Sequence, residues 1–360
     1  MQSYLQLHTQ VSTVILERVA GNQMGWPLLR MARYVKQSKY LQQLKENEEV
    51  WSKSFPMASF MMFSKDRAFI TSASNPTNPF QAKINWRSYE EIQSYCPDVK
   101  GSSVVLGVDA ECEEKALFVC PVQPETIDEI QEKFEGKFAD MRMAIFSLST
   151  SEAQLVGRGY TMITWNEASK FCQRCGSAMK KTFSGCVREC SEGCTKNHVY
   201  PPISPVAITR VLDQTREKVL LVRQPQYPKG MYSCIAGFME PGETLQDCVR
   251  REIAEEAGIV VEEINYFQSQ TWPLPQSSLM LGITAIAMEG SEVLDIDKGE
   301  LEDAKWCTKS EVKEAYERVK KNPGIFRGND EGLLVIPPRG AIAHQLLRNW
   351  IEGDYIPSQL

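Results

Sequence analysis

A chain of 360 residues has room for about two domains. Its composition, 42% hydrophobic and 24% charged, is that of a globular protein with a sizeable core and excludes a disordered or fibrous one. A net charge of −6 excludes a broad cationic surface for a long polyanion, and no apolar run reaches membrane-spanning length.

The first segment, residues 1–45, is basic: Arg18, Arg30, Arg33, Lys36, Lys39 and Lys45 face one acid, Glu17. Its piece GWPLLRMARYVKQSKYLQQL reads as a basic amphipathic helix, the bias of a mitochondrial targeting segment. An ordinary basic arm is the alternative. The terminal Ser358-Gln359-Leu360 weakly resembles a peroxisomal address, which ranks second, with a cytoplasmic location also open. Eleven cysteines, an odd number without a secretory signal, favour a reducing compartment.

Residues 46–165 read as a small α+β domain of structural or dimerising role. SFMMFS, AFITS, SSVVLGVD and ALFVCPV are strands, with Asn75-Pro76 and Asn78-Pro79 as breaks. Asp109, Glu111, Glu113 and Glu114 form a solvated turn. From 126 to 170 the pattern turns helical, with Phe134, Phe138, Met141 and Ile145 as a core stripe.

Residues 166–200 hold two cysteine pairs. Cys172 and Cys175 are separated by two residues, and Cys190 and Cys194 by three. Four thiolates in this arrangement suit a closed tetrahedral zinc site that braces a ribbon without doing chemistry. The looser second pair leaves Cys186 or His198 open as a replacement ligand.

Residues 201–355 form the largest segment. PVAITRVLD and KVLLVRQ are strands joined at Asp213-Gln214, YSCIAGF is a third, and IVVEEINYFQSQ and SLMLGITAIAME follow. Helices are expected at 309–321 and 339–352, and strands with helices on both faces make an α/β sandwich. Between the third strand and the fourth lies GFMEPGETLQDCVRREIAEEAGI, residues 237–259. Pro241-Gly242 turns the chain, Glu243 and Thr244 open a helix at the positive end of its dipole, and Gly258 stands where a left-handed cap ends it. At 100° per residue, Glu252, Glu255 and Glu256 share an arc of about 100°, beside the apolar face of Val249, Ile253 and Ala257. Clustered carboxylates repel unless cations hold them, and Mg²⁺ or Mn²⁺ with phosphate oxygens are the natural occupants. Arg251, four residues before Glu255, is in reach to orient it. In SQTWPLPQSS, 269–278, prolines stiffen the loop around Trp272, which suits stacking on a base or nicotinamide; an ordinary buried Trp is the alternative.

The pattern G-x5-E-x7-R-E-U-x-E-E-x-G-U, with U aliphatic, resembles the Nudix box throughout. S-Q-T-W-P-L-P-Q-S is similar to the array that marks the NADH pyrophosphatase branch of that family, with Thr271 and Leu274 as departures. Tyr200-Pro201, GELEDAKW (299–306) and PPRGAIAHQLLRNW (337–350) fit the same branch, whereas Pro202 departs from its usual Arg. The resemblance implies a Nudix α/β/α sandwich with a zinc-ribbon insert and a smaller N-terminal α+β domain, assembled as a homodimer. It implies that Glu252, Glu255, Glu256 and Glu300 bind Mg²⁺ or Mn²⁺, and that Cys172, Cys175, Cys190 and Cys194 bind Zn²⁺. Phe238, Gln270, Trp272, Gln276, Ser277 and the Ala341 backbone would line the substrate pocket. The implied reaction is hydrolysis of the pyrophosphate bond of NADH, and of NADPH or NAD⁺, to nicotinamide mononucleotide and AMP or its 2′-phosphate. Alternatives are another nucleotide conjugate, such as ADP-ribose or NAD-capped RNA, or a silent NAD(H)-binding protein. RNA enters only as such a capped substrate, and no membrane partner is expected.

Overall fold

A computed structural model describes residues 25–71, 82–112, 114–194, 198–274, 277–322, 324–325 and 332–353. Most of the basic N-terminal segment, the Asn-Pro breaks, Glu113, Gln276 and the C-terminal tripeptide lie outside them. Among the described residues no helix is long and apolar enough to cross a membrane. The chain divides into two compact units: residues 1–74, 82–140 and 158–201, and residues 75–81, 141–157 and 202–360.

In the first unit, α1 (Gly25–Glu46) precedes α2 (Glu48–Ser54), whose entry is fixed by the Asn47 side chain accepting from the Glu49 and Val50 amides. Strands β1 (Ser59–Ser64), β2 (Arg67–Thr71), β3 (Val104–Val108) and β4 (Ala116–Pro121) follow, then α3 (Ile127–Lys133) and β5 (Gly136–Asp140). The sheet order is β3-β4-β1-β2-β5, with β1 parallel to β4. Every residue of β1 is buried, which is why it reads as an unbroken apolar run and not as an alternation.

The helical expectation for 126–170 is corrected here. Helix α3 ends at Lys133 with Phe134 as its C-terminal cap, Glu135 takes a left-handed φ of 51°, and residues 136–140 pair with β2, placing Phe138 opposite Phe69. All four residues of the stripe are buried, but on different elements, because sheet pairing overrode the helical spacing. The ribbon is a short hairpin, β6 (Met179–Lys181) and β7 (Arg188–Cys190). It is tied to β3 and its approach by Val105 N–H donating to the Ser184 carbonyl and Lys181 Nζ to the Ser103 carbonyl.

The second unit takes α4 (Met141–Ser147) and the start of α5 (Thr150–Ala168), up to Gly157. Its six strands are β8 (Ser204–Leu212), β9 (Lys218–Arg223), β10 (Ile235–Phe238), β11 (Val261–Trp272), β12 (Ser278–Ala287) and β13 (Asp303–Thr308). Helices α6 (Leu245–Ala257), α7 (Lys309–Lys321) and α8 (Ile342–Glu352) complete it. The strand path is β11-β12-β8-β9-β13, and β10 also pairs with β8. Side chains alternate between the faces. Ala207, Val211, Leu220 and Val222 meet Cys248, Val249, Ile253 and Ala257 of α6. Ile208, Leu212, Val219 and Leu221 meet Val312 and Ala315 of α7 and Leu346, Leu347 and Trp350 of α8. This is the α/β/α sandwich. Strand β8 forks: residues 206–209 pair with β10, and residues 211 and 212 with β9.

Candidate active site

Helix α6 has 13 residues, a length marginal in isolation, so its position comes from packing. Cys248, Val249, Ile253 and Ala257 are fully buried on one side. Thr244 caps the N-terminus by accepting from the Asp247 amide, and Gly258, at φ 71°, donates to the Ala254 carbonyl to close the C-terminus. With both ends and the apolar face fixed, the carboxylates have one place to go.

Arg251 gathers them. Its guanidinium makes a bidentate pair with Glu243 and reaches Glu252 at 2.8 Å, Glu255 at 3.0 Å and the Phe238 carbonyl at 2.8 Å. The expected Arg251–Glu255 contact is therefore present, but the Glu243 pair, which sequence spacing did not reveal, is the most extensive. Hydrogen bonding from Arg251 pulls the Glu243 carboxyl down to about 2, and the pairing raises Arg251, so both stay charged.

The carboxyl carbon of Glu252 would lie 1.8 Å from a Cβ built on Gly237. The first glycine of the motif is thus a steric requirement: β10 passes so close to α6 that a methyl group would occupy the carboxylate's position. We expect Gly237→Ala to displace Glu252 and lower turnover roughly 10- to 100-fold, with substrate affinity much less affected. Steady-state kinetics at saturating Mg²⁺ check this, and unchanged turnover would show the contact to be relaxed at no cost.

Glu256 is 3% exposed, and its Oε2 has no hydrogen-bond partner. Burial, then the charges of Glu252 and Glu300, push its carboxyl up to about 8. Glu300 arrives on a loop fastened to the end of α6, where Asp295 N–H donates to the Ala257 carbonyl and Asp297 N–H to the Glu256 carbonyl. Burial also raises Glu252. A buried, orphaned carboxylate oxygen beside further carboxylates is the donor set of a hard divalent cation. The glutamate oxygens do not all approach within 4.8 Å; the four cysteines do.

In the ribbon, Cys194 lies 3.4 Å from Cys172, 3.2 Å from Cys175 and 3.5 Å from Cys190, measured between sulfurs. Ligands at about 2.3 Å on a tetrahedron stand about 3.8 Å apart, so the thiols fit a metal with slight expansion. The two open alternatives lie elsewhere: Cys186 is bonded to the Val105 carbonyl, and His198 faces Glu189 at 2.8 Å.

Beside β10, within the second unit, is a cavity of about 570 Å³. Gln270, Trp272 and Ala341 line it, as does Ala236, the neighbour of Gly237. The Gln270 amide spans to the start of α8, donating to the Gly340 carbonyl and accepting from the Ile342 amide at 2.8 Å. Trp272 is half-buried, its ring 5.9 Å from Phe146 and tilted 40°. Phe238 is 51% exposed and outside the cavity lining, as is Ser277, whose carbonyl accepts from the Ser204 amide. Arg142, Phe146 and Tyr227 also line the cavity. Sequence reading missed them, since 142 and 146 lie far upstream and carry no motif.

Residues 203–327 match the NUDIX domain model. The chain is 32% identical over 344 residues to the human protein "NAD(P)H pyrophosphatase NUDT13, mitochondrial", covering 91% of this chain and 94% of that one. It is 33% identical over 339 residues to the human "NAD-capped RNA hydrolase NUDT12", covering 86% and 71%. With the worm protein "NAD-capped RNA hydrolase ndx-9" (Caenorhabditis elegans) the identity is 36% over 236 residues, covering 64% and 62%. The chain belongs to the Nudix family and is a Nudix hydrolase.

Proposed function

We propose that the chain hydrolyses the pyrophosphate bond of NADH and NADPH, giving reduced nicotinamide mononucleotide and AMP or its 2′-phosphate. The observation that carries this is the pairing of the buried Glu256 carboxyl, whose Oε2 has no hydrogen-bond partner, with a cavity along the same sheet that Phe146, Tyr227 and Trp272 help to line. The cavity volume suits a ring-bearing nucleotide fragment. Glu252, Glu255, Glu256 and Glu300 would hold Mg²⁺ or Mn²⁺, which when bound neutralises diphosphate charge and acidifies a water. Arg251 holds Glu252 and Glu255 in position, and either Glu255 or Glu256 takes the water's proton. The cavity seats the nicotinamide ring against Trp272, fixing the diphosphate for in-line attack. Phe238, exposed at the end of β10, offers a stacking face for the other ring. Gln276 and Ser277, four and five residues after Trp272 in the sequence, would contact the substrate beyond the described cavity lining. The ribbon cysteines bind structural Zn²⁺ and the protein acts as a homodimer; its location is mitochondrial, in keeping with the name of the human NUDT13 relative.

Product analysis by mass spectrometry with NADH, NAD⁺, ADP-ribose and NAD-capped RNA side by side tests the reaction. NADH turnover to the two mononucleotides is expected; exclusive hydrolysis of the capped RNA would favour the activity named for NUDT12 and ndx-9. Trp272→Ala should remove about 1–3 kcal/mol of stacking, so kcat/KM for NADH falls about 5- to 150-fold while ADP-ribose is spared. Equal losses on both, with a lowered Tm, would make Trp272 a core residue.

A further inference from the structure

Among the described residues lining the cavity, Arg142 is the one charged side chain; the rest are apolar, aromatic or uncharged polar groups such as Gln224, Gln270 and Tyr227. Arg142 and Phe146 lie four residues apart on α4, so they share a face of that helix. The Phe146 ring meets Trp272 at 5.9 Å, which sets Arg142, an exposed side chain, one helical turn from that contact at the Trp272 end of the cavity.

Sheet geometry places that end away from the glutamates. Gln270 pairs with Met280, Met280 with Val206, and Val206 with Phe238, a row running from β11 across β12 and β8 to β10. Three strand spacings make about 14 Å. The Glu252 carboxylate lies against Gly237, at the β10 end of this row. A dinucleotide diphosphate held there is therefore distant from Arg142, and the cation faces whatever ring occupies the Trp272 end.

We propose that Arg142 sets the preference between the redox forms of a nicotinamide ring seated against Trp272, favouring the neutral reduced ring over the cationic oxidised one. This rests on the proposed hydrolysis of nicotinamide dinucleotides. The oxidised pyridinium carries a positive charge and the dihydropyridine carries none. An exposed guanidinium at the rim of a largely apolar cavity repels the first and leaves the second unopposed. Its N–H groups also donate to a ring carboxamide oxygen in both forms, an effect that cancels in their ratio. Because Arg142 is exposed, solvent screens the pair; with an effective dielectric of about 40–80 and a separation of about 6 Å, the repulsion corresponds to a discrimination of roughly 3- to 10-fold.

The experiment measures kcat/KM for NADH and for NAD⁺ in the wild type, Arg142→Gln and Arg142→Lys, with a thermal melt of each. The wild type should prefer NADH. Arg142→Gln should reduce the NADH-to-NAD⁺ ratio roughly 3- to 10-fold, chiefly by improving NAD⁺, and Arg142→Lys should keep most of the ratio because it keeps the charge. A side chain that merely braces α4 would lower the Tm and both constants together, leaving the ratio unchanged, and that result overturns the proposal. So does a wild type without preference, or Arg142→Lys behaving as Arg142→Gln. Wild-type hydrolysis of both dinucleotides with an unmoved ratio in Arg142→Gln would sink this inference alone. A wild type inert on both would remove the proposed function and this inference with it.

Discussion

Cys172→Ser should fail to accumulate as soluble, folded protein. The four sulfurs stand within a few tenths of an ångström of the separations that a tetrahedral metal requires. The ribbon has a three-residue pair of strands and a cluster of Cys172, Met179 and Cys190 for a core, too little to hold itself together. Metal binding in isolated zinc-finger peptides contributes about 10–16 kcal/mol, as much as the whole stability of an ordinary domain, about 5–15 kcal/mol. Loss of one ligand therefore threatens the unit that shares its contacts: Arg188, 9% exposed, holds the Asn166 and Met179 carbonyls, and Lys181 holds that of Ser103. Purified wild type should contain about one Zn²⁺ per chain, and a strong chelator should lower its Tm. Soluble, active protein free of zinc would refute the structural role.

Glu256→Gln should lower turnover by two to three orders of magnitude, the scale of losing a preorganised electrostatic contact at a reacting centre. Its stability should move the other way. The Glu256 carboxyl titrates at about 8 in the folded, metal-free chain against an ordinary 4.5. The folded state thus retains a proton that the unfolded chain releases, and metal-free stability falls as pH rises from about 4.5 to about 8, then levels. Glutamine has nothing to ionise, so Glu256→Gln should melt above the metal-free wild type by a margin that grows across this window. Added Mg²⁺ should raise the wild-type Tm most at the alkaline end and the variant's little. A margin independent of pH would mean that Glu256 is not the titrating group.

The Nudix helix was legible because its determinants are local. Thr244, Gly258 and the apolar face of Val249, Ile253 and Ala257 each act within a few turns, and the structure finds the cap, the left-handed stop and the buried stripe there. The sandwich was legible for a similar reason: alternation in β8 and β9 sorts side chains to two faces. What could not be read were contacts across the chain. That Gly237 makes room for Glu252, or that Arg251 grips Glu243, depends on how closely β10 passes α6. The false helix over 136–140 has the same origin, since four buried apolar residues satisfy a helical spacing whether one helix or a strand and two helices bury them. The cavity wall at Arg142 and Phe146 was invisible because Phe146 meets Trp272, and both residues join the cavity lining, only after folding.

The membership of 141–157 in the second unit has a consequence for biosynthesis. A ribosome delivers α4 first, then the whole four-cysteine hairpin, and only much later the β11 residue on which α4 rests. Phe146 must wait, uncovered, until Trp272 has emerged and its strand has paired, a long-range closure that is slow and exposes apolar surface meanwhile. The nascent chain should therefore depend on chaperones most heavily in that interval. A fragment beginning at residue 202 would leave the ribosome with the carboxylates of α6 in place and one wall of the cavity never made.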